Sequence, residues 1–369
     1  MEKNSTNGLA PAAYGGTNLV VAADQGKAEA AAQNYLRART AAASISKGVR
    51  GTAPSILPVG LDRLTLRRIT ALLGTRRIIY TLAGQHDSEQ QNAFAADVRS
   101  LARALNCPMQ LAPVIAIDLD STLLKVNEYL EAEQTFKADM AALGIDPLLA
   151  DRVRIERYKD LRFRQGIPIG RELLALTYEA AYLELCHLGE LRPTEQGLAK
   201  CQQIVAQVFA SRPKFERGAA AQLVRLAADG YDCHIVTRGD DDAQRQRIQH
   251  HPILEQLVQS VTVWSDKTPE RYQDFARNVL DLPPSSLTMI GDSVIFDVEA
   301  AVMAGYHAIH VLSSDFSLEA FPPTLPAGSY AVVPSFASPA LRSSLDTLYG
   351  LKLNASHLND SSLDLPIAA

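Results

Sequence analysis

Cysteine is scarce in this chain of 369 residues. There are four, Cys107, Cys186, Cys201 and Cys233, far apart and without a CxxC pair. That excludes a disulfide frame or a cysteine zinc site and leaves buried thiols in a reducing compartment as the reading. Long apolar runs are also missing: none approaches the roughly 18 residues of a membrane span. A strong charge of either sign is absent too, with 36 Lys and Arg against 41 Asp and Glu, a formal net charge of −5. No global field therefore draws the chain to nucleic acid or an anionic membrane. Met1 to Ser5 lack the basic and apolar regions of a signal peptide. Asn34 to Gly60 carries Arg37, Arg39, Lys47 and Arg50 without an acid, as a transit peptide does, but Glu2, Asp24 and Glu29 precede it. The expectation is a cytoplasmic protein with no membrane or nucleic-acid partner.

What is present is core material, 47% apolar against 21% charged residues, in a length that suits two domains or one with large insertions. Residues 1–55 are rich in Ala, Gly, Asn, Ser and Thr. Lys27 to Ala43 has helix-forming composition but, beyond Tyr35 and Leu36, little to dock with. A flexible N-terminal extension is expected there, with at most a transient helix. Residues 56–113 read as a small N-terminal α/β appendage: a helix over Leu61–Leu73, a strand over Ile78–Gly84 and a polar helix over Ser88–Leu105. The basic residues Arg63, Arg67, Arg68, Arg76 and Arg77 are read as a solvated face, because no aromatic residue interleaves them.

Val114-Ile-Ala-Ile117 is a β-branched run that ends in Asp118 and Asp120. Spaced two apart at a strand end, these carboxylates project together and repel, unless a cation or a proton lies between them. About ninety helical residues follow. Tyr129, Phe136, Met140 and Leu143 share one face; Leu148 to Phe163 forms a second helix. Ile169, Leu173, Leu176, Ala180 and Leu183 make a third stripe, and Leu198, Cys201, Val205 and Val208 a fourth. Four amphipathic helices with short connections predict a small bundle over residues 125–212. From Phe215 short strands alternate with helices: Cys233–Thr237, Val261–Trp264, Leu287–Gly291, His307–Val311 and a short one at Tyr330–Val333. This alternation predicts a parallel sheet with crossover helices, joined by the Asp118 strand. Residues 334–369 read as a C-terminal tail, with Leu341 to Leu351 a candidate docking helix.

Ligands of such a sheet bind beyond the carboxyl ends of its strands. Those ends carry Asp118 and Asp120; Thr237, Arg238 and Gly239; Lys267 just after the third strand; and Gly291-Asp292-Ser293, with Asp297 five residues beyond Asp292. Carboxylates, a hydroxyl and an ammonium would meet at one edge, and hard oxygen ligands of this kind suit Mg²⁺.

In order and spacing these stations resemble the four motifs of the haloacid dehalogenase-like (HAD) superfamily. They are DxDxT at Asp118-Leu-Asp120-Ser-Thr122, a strand ending in Thr237, a lysine at Lys267, and Gly291-Asp292-Ser293-Val-Ile-Phe-Asp297. The resemblance covers Val114 to about Val311. It implies a Rossmann-like three-layer α/β core (residues 114–124 plus 213–333) with an inserted α-helical C1-type cap (125–212) and an N-terminal extension. It implies Asp118 as nucleophile, forming an aspartyl-phosphate, and Asp120 as general acid and base. Thr237, Arg238, Gly239 and Lys267 would form the phosphate-binding group. Mg²⁺ would sit between Asp118, the Asp120 backbone carbonyl, Asp292 and Asp297. Thr122 would orient the loop. Dehalogenase and ATPase members lack an acid at the position of Asp120, so the implied reaction is hydrolysis of a small phosphorylated metabolite by a phosphatase. A phosphotransferase or phosphomutase would use the same intermediate, and a retired core kept as a binding protein is a third reading. Tyr129, Arg162, Arg164, Gln165 and Arg171 are candidates to face the substrate. The N-terminal extension is a candidate for oligomerisation or partner docking.

Overall fold

A computed structural model describes residues 18–45, 56–60, 77–85, 87–105, 109–312, 324–326 and 328–349. Its largest sheet has six parallel strands: β5 (Val114–Ile117), β6 (Asp232–Arg238), β7 (Ser260–Trp264), β8 (Leu287–Gly291), β9 (His307–Val311) and β10 (Ala331–Val333), in the order β10-β9-β8-β5-β6-β7. The four residues of β5 are all buried, between β6 and β8. Strands covered on both faces need an unbroken apolar run, which is what Val114–Ile117 offers. Alternation along the strand divides the core in two. Ile115 and Ile117 pack with Leu223, Leu226, Leu254 and Leu341, while Val114 and Ala116 pack with Tyr272, Phe275 and Ala301 on the other face. Helices on both faces make the α/β architecture three-layered.

Between β5 and β6 the chain leaves the sheet to form four helices, Asn127–Ala142, Pro147–Lys159, Arg171–Leu188 and Glu195–Ala210. Asp146 starts the second by accepting from Leu148 N at 3.1 Å, and Thr194 starts the fourth by accepting from Gly197 N at 3.1 Å. Phe136, Met140, Tyr178, Tyr182, Cys201 and Val205 form their common core. The expected third stripe is displaced: the helix turns Leu174, Tyr178, Ala181 and Leu185 to this core, while Ile169, Leu173 and Leu176 pack with Tyr158 and Leu161 and Leu183 is exposed; Leu143, just past the end of its helix, is exposed too. The second helix ends at Lys159 and continues as a wide π-type turn, Asp160–Arg164. The linkers to this cap run together: Leu124 bridges Phe215, and Lys125 N donates to Lys214 O at 2.8 Å.

The N-terminal part departs from expectation. Asn18–Ala22 is a strand, β1, in a four-stranded parallel sheet with β2 (Ile56–Gly60), β3 (Arg77–Tyr80) and β4 (Met109–Leu111), ordered β2-β1-β3-β4. Gln25–Ile45 is a full helix that packs on the core helix Ala219–Ala228. The flexible extension assigned to residues 1–55 is therefore corrected over 18–45. Small residues dock here in place of large ones: Ala28, Ala32 and Ala42 are buried, and Ala42 joins the core cluster. Tyr35 lies so close to Gly230 that a Cβ there would stand 1.9 Å from its ring.

The C-terminal tail assigned to residues 334–369 is likewise corrected at its start. Pro339–Tyr349 is a helix that buries Leu341, Leu345 and Tyr349 in the core, and Tyr349 Oη donates to Val114 O at 2.7 Å. The Leu61–Leu73 helix, most of the basic cluster, Cys107 and residues 350–369 lie outside the described residues. Among the described residues no helix is long and apolar enough to cross a membrane.

Candidate active site

Asp118 and Asp120 lie just past the end of β5, with Asp118 N still donating to Ile290 O at 2.9 Å. Ser121 then takes a positive φ of 58°, and the chain turns back so that Ser121 N reaches Leu124 O at 2.7 Å. This turn puts both carboxylates on the wall of a cavity of about 240 Å³ beneath the cap. Thr237, Arg238, Gly239, Lys267, Asp292 and Asp297 line it too, so the strand-end residues predicted from the sequence converge. The Thr122 hydroxyl is buried without a hydrogen-bond partner.

Lys267 is the electrostatic centre. Its ammonium is buried, 2.5 Å from Asp118 Oδ1 and in contact with Asp297 Oδ1. Burial alone would lower its pKa; Asp118 and Asp297 more than offset that, and the net shift is upward. Burial pushes the Asp118 carboxyl up to about 7, with Lys267 opposing and Asp297 and Asp120 adding to the rise. Asp292 is also raised, by burial and then by Asp118 and Asp297.

Carboxylate oxygens of Asp118, Asp292 and Asp297 lie within 4.8 Å of one another. Asp297 sits in the wide turn Val294–Glu299 and accepts from Ser293 N at 3.0 Å. Its carboxylate lies so close to the end of β8 that a Cβ on Gly291 would stand 2.3 Å from Asp297 Oδ2, so only glycine fits there. His310 Nε2 contacts Asp292 O at 2.9 Å and fixes the same turn. Three carboxylates against one ammonium leave two uncompensated negative charges. A divalent cation with oxygen ligands fits that donor set. The Asp120 carboxylate is not part of this trio.

Asp120 is held by two residues that the sequence did not disclose. Arg247 Nη2 donates to Asp120 Oδ1 at 2.7 Å, and Gln244 Nε2 to Asp120 Oδ2 at 2.8 Å. Both come from the helix Asp241–Gln249, read from sequence only as polar. Arg247 also pairs with buried Glu128 in the first cap helix, so one guanidinium ties Asp120 to the cap.

Arg238 lines the cavity, but its guanidinium stacks over Phe296 at 3.7 Å and lies 3.5 Å from Asp266. Of the five cap candidates, only Tyr129 lines the cavity. Arg162 reaches across to Asp266 at 2.8 Å, Arg164 and Gln165 bond to Asp160, and Arg171 covers Phe209. Gly170 approaches core residue Asp240, where a Cβ would be 3.4 Å from the Asp240 Cβ. The cap is thus closed down on the core.

Residues 267–338 match the family model described as HAD-hydrolase-like. No curated protein matches the chain significantly. Among solved structures, a haloacid dehalogenase-like family hydrolase from Xanthomonas campestris is 24% identical, with a TM-score of 0.52, over 64% of this chain and 93% of that one. The magnesium-bound HAD-hydrolase YfnB of Bacillus subtilis is 15% identical, with a TM-score of 0.45, over 63% and 98% of the two chains. A predicted phosphoglycolate phosphatase from Haemophilus somnus is 16% identical, with a TM-score of 0.42, over 62% and 97%.

Proposed function

We propose that this chain, built on the haloacid dehalogenase-like hydrolase fold, is a Mg²⁺-dependent phosphatase of small phosphomonoesters. The observation that carries the reading is the pairing of Asp118, fixed by Lys267 at 2.5 Å, with Asp120, held by Gln244 and Arg247, on one cavity wall. That pairing supports reading the first as the nucleophile and the second as the proton carrier.

In the first half-reaction an Asp118 carboxylate oxygen attacks phosphorus, the bond to the ester oxygen breaks, and Asp120 delivers a proton to that oxygen. The alcohol leaves, and Asp118 carries the phosphoryl group. In the second, Asp120 takes a proton from water, the water oxygen attacks phosphorus, and Asp118 is released as a carboxylate. Over the full cycle Asp120 gives one proton and regains one. Lys267, Thr237 and the backbone at Gly239 would hold the phosphoryl oxygens where charge builds up. Asp118, Asp292 and Asp297, with the Asp120 carbonyl, would hold Mg²⁺, which supplies charge neutralisation at the phosphoryl group. The closed cap excludes bulk water during transfer.

The test is phosphate release from 4-nitrophenyl phosphate with Mg²⁺ and with EDTA, for the native chain and Asp118→Asn. Turnover is expected only for the native chain with Mg²⁺. Undiminished activity of a folded Asp118→Asn variant refutes the mechanism, and strict retention of phosphate on the protein or an acceptor refutes the hydrolase assignment.

A further inference from the structure

The phosphoryl end of the cavity is crowded with charge, whereas under the cap the charged lining is the Arg154–Glu133 pair beside a mainly apolar wall. Tyr129, Leu130, Tyr158, Leu173, Leu174 and Phe209 supply the wall that a leaving group would meet. These side chains come from all four cap helices, so the apolar wall is a property of the whole cap rather than of one loop.

The cations that line the cavity are already engaged with anionic or aromatic partners. Besides Lys267 they are Arg154, Arg238 and Arg247 among the described residues. Arg154 is buried and donates to Glu133 at 3.0 Å and Asp151 at 2.6 Å. Arg238 lies against Asp266 and the face of Phe296. Arg247 is shared by Asp120 and Glu128. A second anionic group on the substrate would have to break one of these pairs. It would also enter beside Glu133, itself a cavity residue. Burying an unpaired charge next to a carboxylate is strongly unfavourable.

Resting on the phosphatase reading above, we infer that the substrate is the phosphomonoester of an uncharged, mainly apolar alcohol or phenol. Phosphorylated hydroxy acids and bisphosphates are excluded because they lack a counter-charge, and polyhydroxylated sugar phosphates are disfavoured because the wall offers mainly carbon, with the tyrosines and the Arg154–Glu133 pair as its polar groups.

Benzyl phosphate and 4-carboxybenzyl phosphate test this directly, because they share a leaving oxygen and a ring and differ in one charge. With Mg²⁺, kcat/KM for benzyl phosphate should exceed that for 4-carboxybenzyl phosphate, and that for a hexose 6-phosphate, by at least about tenfold. Leu130, half-buried on the wall, gives a second measurement: Leu130→Arg supplies the missing cation and should move the benzyl to carboxybenzyl ratio toward the acid by about tenfold. A native chain that prefers either polar ester overturns the substrate class while leaving the phosphatase reading intact. So does a ratio that Leu130→Arg does not move. Failure to hydrolyse any of the three, or 4-nitrophenyl phosphate, overturns the phosphatase reading itself.

Discussion

Replacing Lys267 with methionine removes one positive charge from between two buried carboxylates and leaves an unbranched side chain one heavy atom shorter. Asp118 and Asp297 both contact the ammonium, and Asp292 lies within the same 4.8 Å group. Deleting one partner of a buried ion pair costs about 3–5 kcal/mol. Proton uptake by the orphaned carboxyls limits the loss, so the lower figure, about 3 kcal/mol, applies. At roughly 2 °C per kcal/mol for a large domain, the melting temperature in EDTA should fall by about 6 °C. Mg²⁺ then acts on a site with three uncompensated charges in the variant and two in the native chain. At about a hundredfold excess over Kd a bound ion adds about 2.7 kcal/mol, and the variant should bind it more tightly and gain more. The assay is a pair of thermal melts, with EDTA and with Mg²⁺, for each protein. A Lys267→Met melt within about 1 °C of native in EDTA, or a smaller Mg²⁺ gain in the variant, refutes the charge argument.

Three further outcomes are expected. Asp120→Asn should slow hydrolysis of alkyl phosphates by about 10²–10⁴-fold, and 4-nitrophenyl phosphate, whose leaving group needs no proton, distinctly less; equal losses would contradict the proton-carrier role. Without divalent metal the chain should be more stable near pH 5.5 than near pH 8: burial raises the Asp118 carboxyl to about 7, and Asp292 also upward. The folded state therefore keeps protons that the unfolded chain releases from about pH 4, and stability falls as pH rises through the folded value. Melts in EDTA that climb over that interval would refute this, and Mg²⁺ should flatten the profile. Tyr349→Phe removes the donor to Val114 O at 2.7 Å and the contact with Thr288 Oγ1 at 2.9 Å. It should cost about 1–2 kcal/mol in urea unfolding, and an unchanged midpoint would show that this helix is not anchored there.

The strand-end residues were legible because each is announced locally. An apolar run stops at Asp118, at Thr237 and at Gly291, and the topology of a parallel sheet then brings the stops together. The grip on Asp120 was not. Arg247 is 127 positions from Asp120 and 119 from Glu128, and nothing in Asp241–Gln249 marks one arginine as buried. The N-terminal helix was missed for another reason. Hydrophobic periodicity looks for large side chains, whereas Ala28, Ala32 and Ala42 dock by letting backbones approach, a fit that depends on Gly230 far along the chain. Arg162, a candidate to face the substrate, instead reaches Asp266 of a core loop and does not line the cavity, a partner that its own sequence neighbourhood does not announce.

The two linkers of the cap leave the core side by side, joined by Lys125 N to Lys214 O and Glu216 N to Leu123 O, both at 2.8 Å. Everything between them is, from the point of view of the sheet, a loop whose ends are already closed. Lengthening or exchanging such a loop changes its closure entropy only logarithmically and shifts no strand register. On the reading proposed above, phosphoryl transfer and the choice of leaving group would reside on two pieces of one chain, and a new wall grafted between Lys125 and Lys214 would leave Asp118 untouched provided it keeps Glu128, the partner of Arg247.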